Sequence, residues 1–230
     1  MIGFYNYTVI LTYLSLLSAG TGIIVSLAGD HPYWGMFFLL LCGFFDAFDG
    51  KVARTKSDRS DMEINYGIQI DSLSDIVAFG VLPACIGVAL INTSEFFKNL
   101  FGRENIALAL VIKYAIFAVL VLYILAALIR LAYFNVTEEE RQRTEGGTRR
   151  TYTGLPVTSA ALIFPTVMLL MYAIPADISW VYIIVAIAMG FAFLGKFSIP
   201  KPKLRGILIM VAIGIVEAVV FVLFWHFFKK

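Results

Sequence analysis

The chain has 230 residues, 60% of them hydrophobic, with a mean hydropathy of +0.85. A soluble domain is about half apolar, so the composition excludes an ordinary soluble protein and reads as an all-α polytopic membrane protein, a single domain over 1–230. The formal net charge of +2 says little about partners and gives no reason to expect nucleic acid.

A membrane-spanning helix needs about 20 apolar residues. In chain order the candidates are roughly 7–28, 33–53, 70–91, 107–134, 155–175, 179–195 and 205–228, within an expected bundle of about six to eight transmembrane helices. No Lys or Arg precedes Lys51. The first stretch therefore lacks the basic region of a cleavable signal peptide and is expected to be a retained helix. The segment 96–135 is long enough to hold a short interfacial helix or a re-entrant piece as well as its span. Cys42 and Cys85 both fall in apolar runs and read as small core residues, not as a disulfide.

The second and third spans carry the chemistry. Asp46, Asp49, Gly50, Ala53 and Arg54 close one; Gly67, Asp71 and Asp75 open the other, with a polar loop between. Carboxylates so close to hydrocarbon are costly and mark a functional site. Asp46 and Asp49 are spaced i, i+3 and Asp71 and Asp75 i, i+4, so each pair shares a helix face. If those faces meet, four carboxylates converge. Such a cluster cannot stay fully ionised without cations, and hard oxygen ligands favour Mg²⁺ or Mn²⁺; two ions would serve phosphoryl chemistry. Arg54 adds a planar donor suited to phosphate. Asp58, Asp61 and Glu63, in the loop, read as solvated.

The pattern D-x-x-D-G-x-x-A-R … G-x-x-x-D-x-x-x-D resembles the signature of the CDP-alcohol phosphotransferases, integral membrane enzymes of phospholipid synthesis, and every position of it is filled. One departure is the gap from Arg54 to Gly67, longer than in most members. Three further stretches are similar to the phosphatidylserine synthase branch of that family. They are Asp71-Ser72-Leu73-Ser74-Asp75 through Pro83, Arg130-Leu131-Ala132-Tyr133-Phe134-Asn135-Val136, and Tyr152-Thr153-Gly154-Leu155-Pro156. The resemblance implies transfer of a phosphatidyl or archaetidyl group from CDP-diacylglycerol or CDP-archaeol to the hydroxyl of L-serine, releasing CMP. It also implies a homodimer embedded in membrane lipid.

For that reaction the residues offer a division of labour. Asp46, Asp49 and Asp71 are the expected metal ligands. Asp75 is the expected general base and a further ligand. Asp49, Gly50, Ala53, Arg54 and Gly67 are expected at the CDP-lipid. Serine needs a cationic clamp for its carboxylate and an acceptor for its ammonium, which Arg130 and Asn135 could supply. Thr151, Tyr152 and Thr153 are weaker candidates. Arg130 at a helix end also has the plainer reading of snorkelling to the interface.

Orientation follows loop charge. Lys51, Arg54, Lys56, Arg59, Arg141, Arg143, Arg149, Arg150, Lys196, Lys201, Lys203 and Arg205 fall on the carboxylate side. Lys98, Arg103, Lys229 and Lys230 fall on the other. The expectation is a multi-pass protein of the cell membrane with its active site facing the cytoplasm. The charged stretch 137–153 is either a solvated connector or, with Gly146 and Gly147, a lid. Glu217 lies mid-span, where it could pair across helices or line a dimer contact. Lys113 reads as snorkelling, and His31 and His226 as interfacial.

Three rival functions stand against this one. A phosphorylated acceptor, such as glycerol phosphate or inositol phosphate, would want several converging cations, of which Arg149 and Arg150 are the available pair. Membrane prenyltransferases also set Asp-rich helices at the cytoplasmic face, but lack the D-G-x-x-A-R continuation. A transporter would favour broken helices at midplane over carboxylates at span ends.

Overall fold

The computed structural model describes residues 2–102, 106–144, 151–202 and 204–228. Arg103, Gly146, Gly147, Arg149, Arg150, Lys203, Lys229 and Lys230 lie outside the described residues, and with them the core of the lid reading.

The chain is a helical bundle. Helix α1 is Ile10–Ala28, α2 Pro32–Ala53 and α3 Asp61–Asp75. The six residues Ile76–Val81 wind as a π-helix, and α4, Leu82–Thr93, continues the same rod. A short α5, Glu95–Phe101, precedes the long α6, Ile106–Thr144. Strand β1, Thr151–Thr153, leads through a 3₁₀ turn at Val157–Ser159 into α7, Ala160–Ala173. Then come α8, Trp180–Leu194, strand β2, Ser198–Pro200, and α9, Leu204–Phe228. The strands pair antiparallel, Tyr152 opposite Ile199.

Local chemistry sets the helix ends. Pro32 opens α2, where its missing N–H costs nothing. Ser60 and Glu63 form a capping box at the start of α3. The Ser94 hydroxyl accepts from the Phe97 N–H and starts α5. The helix carrying Asp71 thus begins at Asp61 and not near 70, because the cap fixes its first turn in water, beyond the apolar run. At 39 residues α6 is about 58 Å long, far more than a bilayer core requires. It runs to Thr144 instead of ending near 134. Ion pairs Glu138–Arg141 (2.7 Å) and Glu139–Arg143 (2.5 Å) line its emergent turns.

Ile10–Ala28, Asp61–Thr93, Ile106–Arg141 and Leu204–Leu223 are long and apolar enough to cross a membrane. Helix α2 has 22 residues but ends in two aspartates and a lysine. Val157–Ala173 and Trp180–Leu194 are shorter apolar helices. The chain is a multi-pass membrane protein, and the seven expected spans each coincide with a helix or a continuous helical rod among the described residues. The expected short helix after residue 95 is α5.

The α3–π–α4 rod is the hub: 61% of its apolar window is buried in the bundle, against 11% for α9 at the periphery. Phe79, Leu82 and Ile86 of the rod meet Met36 and Leu39 of α2, Tyr123 and Ala127 of α6, Phe164 of α7 and Tyr182 and Phe193 of α8 in one core. That core places the C-terminal end of α2 against the front half of the rod.

Candidate active site

The two aspartate-bearing faces meet as their spacing requires. Ligand oxygens of Asp46, Asp49 and Asp71 all lie within 4.8 Å of one another. Asp75 sits outside that triad but its carboxyl lies against that of Asp46, while Asp49 lies against Asp71. Asp49 and Asp75 are buried. Among the described residues no lysine or arginine forms an ion pair with any of the four. Packed carboxylates without a protein counter-charge are the donor set a divalent cation requires, so the residues fit a Mg²⁺ or Mn²⁺ site.

The helix α1 supplies a contribution that the sequence pattern did not announce. The Thr12 hydroxyl donates to Asp49 Oδ2 at 3.3 Å, and the Ser74 hydroxyl donates to the Thr12 carbonyl at 3.3 Å. Thr8, Thr12 and Ser15 are all buried, at i, i+4 and i+7. That spacing of small hydroxyls in an apolar run was the available signal. Cys42 donates its thiol to the Ser15 carbonyl at 3.3 Å and is a core residue.

Around the triad the small residues leave room. The Gly50 N–H donates to Asp49 Oδ1, and a side chain on Gly50 would meet the Arg54 guanidinium at 3.3 Å. Arg54 itself is exposed at the end of α2, and Ala53 closes that helix half-buried. A side chain on Gly67 would meet nothing within 4 Å; the space beside α3 is open. Asp58 and Asp61 are exposed. Glu63 is engaged: its carboxylate accepts from Asn6 Nδ2 (2.7 Å), Lys56 Nζ (2.7 Å) and the Ser60 N–H (3.0 Å).

The two mid-chain motifs pack against each other. Arg130 is buried, its Nε donating to the Leu155 carbonyl at 3.1 Å and its guanidinium 5.4 Å from the Phe134 ring. Phe134 in turn lies 5.8 Å from the Tyr152 ring, over which Lys201 Nζ sits at 5.7 Å. Gly154 turns this segment at φ +72°, where a side chain would strike the Gly195 and Phe193 carbonyls at 2.9 Å. Asn135 Nδ2 donates to Ser72 Oγ at 2.7 Å, beside Asp71. Both residues of the expected serine pocket stand on α6, Asn135 against Ser72 of α3 and Arg130 against the loop that opens α7. Lys113 lies near the start of α6 over the Phe101 and Phe117 rings. Glu217 bonds across to α7 through Thr166.

With the geometry in hand, comparison with known proteins is specific. A family model described as CDP-alcohol phosphatidyltransferase matches residues 5–194. Archaetidylserine synthase of Methanothermobacter thermautotrophicus is 30% identical over 84% of this chain and 69% of that protein. CDP-diacylglycerol–serine O-phosphatidyltransferase of Saccharomyces cerevisiae is 35% identical over 55% of this chain and 38% of its own length. The protein of the same description from Methanocaldococcus jannaschii is 28% identical over 66% of this chain and 56% of its own length. The chain therefore spans about half or less of these last two relatives. The match takes in both aspartate-bearing helices and the α6–α8 segments that brace them, and on that ground the chain belongs to the CDP-alcohol phosphatidyltransferase family.

Proposed function

We propose that this chain transfers a phosphatidyl or archaetidyl group from a CDP-linked lipid to the hydroxyl of L-serine. The observation that carries the reading is the Asp46–Asp49–Asp71 triad, Asp49 buried and the other two half-buried, with Asp75 alongside. The names of the relatives, all serine-directed synthases, direct the choice of acceptor.

Asp46, Asp49 and Asp71 would hold divalent cations, with Asp75 as a further ligand. Bound there, Mg²⁺ or Mn²⁺ would offset charge on the pyrophosphate and the leaving CMP. Arg54 and Gly50 receive a phosphate at the end of α2, Ala53 and Gly67 leave space for the nucleotide, and Asp49 faces both. Asp75 takes the proton from the serine hydroxyl as its oxygen attacks the lipid-side phosphorus. The phosphorus–oxygen bond to CMP breaks, and CMP leaves with the electron pair. Arg130 would clamp the serine carboxylate, and the Asn135 amide oxygen would accept from the ammonium.

Seven traversals would put Lys51, Arg54, Lys56, Arg59, Arg141, Arg143, Lys196, Lys201 and Arg205 on the triad's side of the membrane and Lys98 on the other. That imbalance supports a cytoplasmic active site in the cell membrane. The family resemblance supports a homodimer.

The test is CMP release by purified protein in detergent with Mn²⁺ or Mg²⁺. Donors are CDP-diacylglycerol and CDP-archaeol; acceptors are L-serine, inositol, inositol phosphate, glycerol 3-phosphate and none; Asp75→Asn is the blank. Serine-dependent release that vanishes in the variant is expected. Release with another acceptor alone discards the serine pocket and keeps the metal site.

A further inference from the structure

Directly after Asp75 the rod changes its winding. Ile76 still bonds in the α register, its N–H donating to the Ser72 carbonyl four residues back. Leu82 donates to the Val77 carbonyl, five residues back. An extra residue is therefore accommodated between Asp75 and α4. One residue of register is about 100° of helix rotation. The π segment consequently decides which way the carboxylates of α3 point relative to α4, and α4 is fixed by the core.

Such a segment needs something to keep it from closing into a regular α turn. In the α register the carbonyl of Phe79 looks to the N–H of residue 83. Residue 83 is proline and has none. Tyr123 supplies a donor from α6, its hydroxyl 2.6 Å from the Phe79 oxygen. Only 2% of Tyr123 is exposed, and its ring is wedged between Phe164 and Phe193, at 5.6 Å from each. Tyr123 stands on α6, and no spacing in the sequence links it to the aspartates.

We propose that Tyr123 is a positioning residue: by holding the Phe79 carbonyl it maintains the π-helical register that aims Asp71 and Asp75 at Asp46 and Asp49. The proposal rests on the reading of those aspartates as a metal site. It assigns Tyr123 no contact with either substrate.

The structure contains a matched control. Tyr182 of α8 is equally buried and donates its hydroxyl to the Pro83 carbonyl at 2.7 Å. That is the same kind of bond to the same rod, but beyond the π segment. Purified wild type, Tyr123→Phe and Tyr182→Phe are compared for Mn²⁺ binding by titration in detergent, for melting temperature, and for turnover at saturating metal. Tyr123→Phe is expected to weaken Mn²⁺ binding about tenfold or more, the usual range for losing an outer support of a metal site, and to lower kcat more than it raises either KM. Tyr182→Phe is expected to lose similar thermal stability yet bind Mn²⁺ as wild type does. Equal Mn²⁺ affinity in the two variants overturns the proposal. Wild type that binds no Mn²⁺ overturns the metal-site reading and this proposal with it. If Tyr123→Phe yields no folded protein, Pro83→Ala decides: it offers the Phe79 carbonyl the N–H of an α turn. Weakened Mn²⁺ binding there supports the proposal, and unchanged binding overturns it.

Discussion

Asn135 and Ser72 are joined across the bundle by a 2.7 Å hydrogen bond, and Ser72 is the residue directly after Asp71. The Ser72 hydroxyl donates to the Ile68 carbonyl at 3.0 Å, so its lone pairs are left to receive the Asn135 amide. The long helix α6 therefore grips α3 one residue from Asp71. Removing the hydroxyl in Ser72→Ala deletes that grip and leaves the Asn135 side chain in place. Its cost is that of one neutral hydrogen bond, about 1 kcal/mol, and should fall on kcat. Asn135→Ala also removes the acceptor proposed for the serine ammonium. A bond to a charged group is worth about 1.5–3 kcal/mol, so the serine KM should rise roughly tenfold or more. Serine saturation curves for the two variants separate the roles; matching KM values would confine Asn135 to holding α3.

Arg130 has a structural duty as well as a proposed one. It is buried, and its Nε holds the Leu155 carbonyl where Gly154 turns the chain into α7. Arg130→Lys retains the charge but loses the planar fork. The variant should fold, keep its CDP-lipid KM within about twofold, and raise the serine KM about tenfold, in line with the loss of one charge-assisted bond. Steady-state kinetics in both substrates provide the check. An equal loss in both would place Arg130 outside the serine pocket and leave it the turn at Leu155.

What the sequence disclosed follows from where physical constraint is local. The four aspartates were legible because i, i+3 and i, i+4 spacings put each pair on one face, and because ionised groups are rare beside hydrocarbon. The spans were legible because each is an apolar run of the necessary length. The start of α3 was readable too, in Ser60-x-x-Glu63, but hydropathy is silent on a helix turn that stands in water. The π-helix and the pairing of Phe134 with Tyr152 left no such trace, and the spacing of Thr8, Thr12 and Ser15 marked a hydroxyl-bearing face without showing that it would meet Asp49. Each depends on which helices become neighbours. Pro83 leaves the Phe79 carbonyl without its α-helical donor by spacing alone, but that Tyr123 answers it is seen only in three dimensions.

The connector between the two aspartate helices is tied down by Glu63, which binds Asn6 from the N-terminal segment, Lys56 from the connector and the Ser60 N–H of its own cap. Hydrogen bonding to Glu63 raises the Lys56 pKa above its ordinary value. The same bond lowers the Glu63 pKa, so the pair's contribution is complete between the unfolded glutamate and lysine values, is lost as pH rises through the folded lysine value, and is lost as pH falls through the folded glutamate value. At neutral pH, Glu63→Ala should free the connector without unfolding the bundle. Trypsin cleavage after Lys56 and Arg59 should accelerate several-fold in the variant, while the melting temperature stays close to wild type. An unchanged cleavage rate would show that Asn6 and Lys56 do not restrain the connector through Glu63.

Glu217 and Thr166 form an unequal pair, and the inequality is testable. Thr166 Oγ1 lies 2.5 Å from Glu217 Oε1 and 2.8 Å from the Leu162 carbonyl of its own helix. Glu217 is buried in the middle of α9, and its Oε2 has no hydrogen-bond partner among the described residues. Thr166 can lose Glu217 and keep Leu162; Glu217 cannot lose Thr166 without being stranded. Thr166→Val should therefore destabilise the protein by about 1–3 kcal/mol, the cost of a buried polar group left without a partner. Glu217→Leu removes the stranded oxygen and supplies an apolar side chain, so it should be neutral or stabilising. Melting temperatures in detergent give the comparison. Neither residue touches the triad, and specific activity of the folded fraction should be unchanged in both. If Glu217→Leu were the more damaging of the two, the carboxyl would have a partner beyond Thr166.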